Sequence, residues 1–208
     1  MVLLAGLSAF AFAETYYSYS VGLFRFNEHF LENDNGNELN GISVNFDINT
    51  YLGEFPLGWF IHASAGAAFD GFEWTEDSIT KIDDFIKSDL RLSFGPSYKI
   101  ALGSKLAIPL SFGPTVAHYR IETYEYCQLV DFSETINMGL YADASVMLIP
   151  FRWFFMKAGV SASWDCIRLE RDGMRMSFRN ANTIEEQIKD MKYSAYNFTI
   201  YCGFGLRF

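Results

Sequence analysis

Basic residues, cysteines and long apolar runs are all in short supply in this chain. Its 208 residues carry 16 Lys and Arg against 25 Asp and Glu, for a formal charge of -9 and a pI near 4.8. Such a chain offers no positive field to neutralise phosphates, which excludes nucleic acid as a partner. Three cysteines, Cys127, Cys166 and Cys202, are too few for a disulfide framework and match no zinc-ligand spacing, so at most one bridge can form. The longest apolar stretch away from the N-terminus, residues 146–156, is broken by Pro150 and Arg152, and no segment reads as a transmembrane helix of about 20 residues.

What the chain has in quantity is aromatic and apolar surface: 21 Phe, 12 Tyr and 4 Trp, with half of all residues hydrophobic and 20% charged. A disordered chain cannot carry that much, so the protein folds, as one medium domain or one membrane barrel. Residues 2–12 form an apolar run that ends in Ala11-Phe12-Ala13 before Glu14, the small-x-small ending of an export signal. Residues 1–13 are therefore expected to be a signal peptide and residues 14–208 the folded domain. No Lys or Arg precedes the run, and the positively charged start of the signal is expected upstream of Met1.

Strict alternation governs the rest. Ile42, Val44, Phe46 and Ile48 alternate with Ser43, Asn45, Asp47 and Asn49, the period of a strand with two unlike faces. The pattern recurs around residues 17–23, 59–70, 89–99, 106–116, 136–148, 154–165 and 197–208, which makes eight strands. Connections after the second, fourth and sixth are short, and those after the first, third, fifth and seventh are long. That is the plan of an outer-membrane barrel with tight periplasmic turns, longer extracellular loops and both termini periplasmic.

Two eight-stranded barrels fit such a pattern, one with its apolar face inside and one with it outside. Here the polar face is mostly Gly, Ser and Asn, which suits a crowded lumen and would make a poor solvated surface. The apolar face is therefore expected to meet lipid. Aromatic residues gather at strand ends, with Tyr51, Phe55, Trp59, Tyr98, Phe151, Trp153 and Phe154 at the short turns and Phe69, Trp74, Tyr119, Trp164 and Tyr196 near the long loops. Two such belts match the two membrane interfaces.

The C-terminal run Tyr201-Cys202-Gly203-Phe204-Gly205-Leu206-Arg207-Phe208 resembles the assembly signal of bacterial outer-membrane proteins, in which Tyr201, Gly203, Leu206 and Phe208 occupy the characteristic positions. With the eight alternating strands, the resemblance to small barrels of the OmpW, OmpX and OmpA type covers nearly all of residues 14–208. It implies an all-β, eight-stranded antiparallel transmembrane barrel in the bacterial outer membrane. Its implied partners are outer-membrane lipid and, during biogenesis, the barrel-assembly machinery.

Charges on the polar face are Asp47, His62, Asp70, Asp89, Arg91, Lys99, Asp143, Lys157, Asp165 and Arg207. Depth counting places Asp47 beside His62, and Asp143 beside Lys157. Opposite charges buried together offset one another's desolvation, so Asp47, His62, Arg91, Asp143 and Lys157 read as a polar network closing the lumen. A gate for small polar solutes is the alternative. His62 and Ser64, with Glu76, faintly resemble the His-x-Ser pair and later Glu of outer-membrane lipid A deacylases, but Ala65 stands where that family carries Asn, and Glu76 falls at the opposite end of the barrel.

In the loops, residues 32–38 are dense in oxygen but lack EF-hand spacing, and Asn35-Gly36 is a turn signal, so no metal or cofactor is expected. Within the last loop, residues 183–186 form a capping box, and Ile184, Ile188 and Met191 share one face of a short expected helix. Cys127 and Cys166 fall on the extracellular side and are candidates to pair, while Cys202 faces lipid. The expected function is non-enzymatic: a largely plugged barrel whose loops serve as envelope scaffold or adhesion surface toward a host or surface ligand. An OmpW-like conduit for small apolar or amphiphilic solutes is the alternative, and a lipid A-modifying enzyme the second.

Overall fold

The computed structural model describes residues 13–30, 33–52, 55–70, 84–125, 128–171 and 193–208. They form eight strands: β1 (Ala13–Phe30), β2 (Asn33–Leu52), β3 (Leu57–Asp70), β4 (Asp84–Ala101), β5 (Leu106–Glu125), β6 (Gln128–Phe151), β7 (Phe154–Arg171) and β8 (Tyr193–Arg207). Each pairs antiparallel with the next, and β1 pairs with β8, which closes the barrel. Both ends of the strand succession lie at the short-turn end, where Thr15 and Phe208 exchange backbone hydrogen bonds of 3.0 and 2.9 Å.

Alternation sorts the faces as the composition requires. Val21, Leu23, Ile42, Val44, Leu90, Leu92, Phe94 and Ile200 point outward and are more than half exposed, while Ser18, Ser20, Asn45, Ser93, Ser97 and Thr115 point inward and are buried. An exterior of this kind is stable only against lipid. Trp59, Tyr98, Phe151 and Trp153 are exposed at the short-turn end, and Trp164 stacks on Tyr196 at the other, ring centroids 6.5 Å apart. Two residues assigned to these belts turn the other way. Tyr51 and Tyr119 occupy inward positions and are buried, because strand parity, not nearness to a strand end, sets the face. The side chains of Phe69 and Trp74 lie outside the described residues.

The long-loop end differs from expectation. β1 and β2 run on until only residues 31–32 separate them, and β5 and β6 until only residues 126–127 do. The Asn35-Gly36 turn signal is thus overridden, and both residues lie in β2. Strands of 14 to 24 residues exceed the roughly 9–11 that cross a bilayer, so these two hairpins stand beyond the apolar band. Residues 71–83 and 172–192, the latter including the expected helix with Ile184, Ile188 and Met191, lie outside the described residues, as do residues 1–12 of the expected signal.

One bulge matters for the lumen. Gly139 faces Asp165 while Met138 faces Ile167, so Cys166 is the extra residue on β7. A Cβ at residue 139 would stand 1.9 Å from the Trp164 carbonyl oxygen, which leaves room only for glycine. Asp165 is inward and Cys166 outward by the alternation that runs from Lys157, and the bulge turns Ile167 outward as well, shifting the parity of β7 beyond it. Of the expected Cys127–Cys166 pair, Cys127 lies outside the described residues, and Cys166 is a free thiol on the outer face of β7, level with Met138. Maleimide labelling of the denatured protein without reductant is expected to count three thiols; a count of one would contradict the free Cys166.

Candidate functional site

The chemistry of this barrel is concentrated in its lumen, in three tiers. At the short-turn end Tyr16 of β1, Tyr51 of β2 and Phe155 of β7 meet edge to face, with Tyr16 5.9 Å from Tyr51 and 5.4 Å from Phe155 between ring centroids. Ala107, Met147 and Ile149 complete this buried plug. The Lys99 ammonium lies 4.7 Å from the Tyr51 ring centroid and pairs with Glu14, which also holds Arg207. Outside the plug is a cup of about 820 Å³ lined by Glu14, Lys99, Arg152 and Arg207 among others.

The middle tier is built on Asp47. One carboxylate oxygen lies 2.6 Å from His62 Nδ1, and the other accepts from Lys157 Nζ at 3.0 Å and from Ser18 Oγ at 3.2 Å. Asp143 is 3.9 Å from Lys157 Nζ and accepts a hydrogen bond from the Tyr201 hydroxyl. The Tyr141 ring stacks on His62 with centroids 4.7 Å apart. Every one of these side chains is buried, so the cluster is a buried ion network.

The third tier, toward the long-loop end, is built on Arg91. Its guanidinium donates twice to Asp165, Nη1 to Oδ1 and Nη2 to Oδ2, both at 3.0 Å, in the planar fork geometry that suits a carboxylate. Nη2 also bonds the Tyr119 hydroxyl, which donates to Asp165 Oδ2 at 2.7 Å. Asp89 lies 3.9 Å from Arg91 Nε and accepts from Asn197 Nδ2 at 3.2 Å. Above this tier Phe26 packs on Tyr119, centroids 5.3 Å apart, with Phe24, Ala68, Ala117 and Ala195. Between the middle and upper tiers the free space measures about 10 Å³, room for about one water molecule.

Asp47 and His62 face each other across β2 and β3, as depth counting implies. Asp143 and Lys157 do not. Asp143 faces Ser161, and Lys157 faces Met147. Lys157 reaches across to Asp47, while Tyr201 takes Asp143. Tyr201 therefore works inside the lumen whatever its role in assembly; Gly203 shares its face, and Leu206 and Phe208 point outward. Sequence reasoning assigns Tyr119 to an aromatic belt rather than to the lumen and leaves Asp165 without a partner. The available signal is parity: Tyr119, like Tyr141, sits on the small-residue face of its strand, where a lone large polar side chain must reach into the lumen. His62 and Ser64 do line one space, but His62 is sealed beneath Tyr141, and Glu76 lies outside the described residues.

A closed barrel of eight antiparallel strands, apolar outside and filled with polar side chains, is the fold of the small outer-membrane barrel proteins. Among solved structures, the chain is similar to Neisserial surface protein A, with 10% identity over 93% of this chain and 97% of that one and a TM-score of 0.53. It is likewise similar to a major outer membrane protein from Thermus thermophilus, with 12% identity, 92% and 99% coverage and a TM-score of 0.51. At such identities the likeness is one of fold. No protein-family model matches the sequence, and no curated protein does.

Proposed function

We propose that this protein is a non-enzymatic, closed barrel of the bacterial outer membrane, with its short turns in the periplasm, whose working surface is the part standing beyond the lipid. The observation that carries this reading is the filled lumen: an aromatic plug and two buried ion networks follow one another with room for about one water molecule between the networks. A hydrated ion or solute cannot pass such a stack without breaking buried ion pairs, each costly to open. What remains for function is the outside. The β1–β2 and β5–β6 hairpins extend past the apolar band and offer their surface to a partner strand or surface ligand; among the described residues the last β2–β3 pair is Gly41 with Ala68. The conduit alternative asks for an open apolar passage at the loop end, where Phe26 instead packs on Tyr119 over the Arg91–Asp165 pair.

Refolded protein in a planar bilayer is expected to show no steady conductance, and liposomes carrying it to retain both a small polar and a small apolar dye. Sustained channel steps or dye efflux would favour the conduit. Binding of envelope or host-surface material by intact cells, lost when the β1–β2 or β5–β6 hairpin is shortened to the lipid boundary, tests the surface role.

A further inference from the structure

Between the two ion networks one side of the lumen wall is built from small residues, with the Phe24 ring lying over Gly66 and the Thr199 methyl group over Gly22. In register, Ser43 of β2 lies between Gly22 of β1 and Gly66 of β3, so three neighbouring strands contribute two hydrogens and a hydroxymethyl group at this level. Across the lumen stand Tyr141 and Ser163, themselves opposite one another on β6 and β7. The space left is the one of about 10 Å³, close to what one water molecule requires. Ser43 and Ser163 both line it, each is only 6% exposed, and neither hydroxyl meets a hydrogen-bond partner among the described residues. Buried hydroxyls are almost always satisfied, by protein or by an ordered water.

We infer that this space is a built site for a single water molecule, held by the hydroxyls of Ser43 and Ser163. His62 of the middle network and Asp89 and Arg91 of the upper one line the same space, so the water joins the two networks into one. A water so placed completes the lumen as a continuous polar column closed to solutes.

Two measurements test this. In the wild-type protein, water-selective NMR in deuterated detergent is expected to show cross-peaks from a long-lived water to the amide protons of Ser43 and Ser163; their absence would overturn the assignment. In urea unfolding, Ser43→Ala and Ser163→Ala are each expected to raise the unfolding equilibrium constant about tenfold, and the double variant also about tenfold rather than a hundredfold, because one shared water is lost in every case. Unsatisfied hydroxyls would give the opposite sign, with the alanine variants more stable than wild type. A sodium ion at the site is separated by replacing sodium with choline: an unchanged midpoint is expected, and a fall in choline would overturn the water.

Discussion

Lys157→Met is expected to cost the folded barrel about 3–5 kcal/mol, the range found when one partner of a buried ion pair is removed. Lys157 Nζ stands 3.0 Å from Asp47 and 3.9 Å from Asp143, with its side chain 2% exposed. Without it two carboxylates share one buried site with His62 as the remaining cation-capable group. Urea unfolding in phospholipid vesicles, followed by tryptophan fluorescence, measures the loss. Adding Asp47→Asn to the variant removes one of the stranded charges and should recover part of the stability. If the double variant were less stable than the single one, the pair would not be the cause. A useful contrast is Arg120–Glu134, 3.8 Å apart and with side chains 40% and 29% exposed, where Glu134→Gln is expected to change stability by no more than about 1 kcal/mol.

Gly203→Asp is expected to abolish the folded barrel altogether. Gly203 faces Ser20 across the β1–β8 junction that closes the cylinder, and a Cβ there would lie 2.0 Å from the Tyr19 carbonyl oxygen and 2.6 Å from Ser20 Cα. The colliding atoms are mostly backbone, so repacking cannot relieve the clash, and the charge would be a third carboxylate at Lys157, the register partner of Gly203 that Asp47 and Asp143 already share. Removing Phe208 is a different lesion. Its ring is 73% exposed and touches only the outer surface near Tyr17, and its loss takes away one terminal pair of backbone bonds. The two variants therefore separate closure from recognition. Gly203→Asp should fail to shift between heated and unheated gel mobilities both in cells and after refolding in detergent. The Phe208 deletion should refold in detergent yet accumulate poorly in the membrane, as expected if the C-terminal run is an assembly signal. Normal membrane levels of the deletion variant would count against that resemblance.

Much of this molecule is legible in its residues. Alternation of Ile42, Val44 and Ile48 with Ser43, Asn45 and Asn49 determines the strand type, the eight repeats determine the strand number, and the small size of the polar residues determines which face meets lipid. These are local properties: a strand's period of two assigns each side chain a face without reference to any other strand. The Asn35-Gly36 turn is overridden, and Asp143 and Lys157 come within 3.9 Å without being register partners, because both features depend on how strands are aligned and tilted. Lys157 meets Asp47, 110 residues away, and Arg91 meets Asp165, 74 residues away, across a lumen whose stagger is set only when β1 closes on β8. The bulge opposite Gly139 adds one further shift, reversing the alternation of β7 beyond Cys166 so that Ile167 faces outward with Met138. The sequence by itself determined which groups enter the lumen; only the closed tertiary structure decided which of them touch, because partners across a barrel are chosen by shear and tilt rather than by position along any one strand.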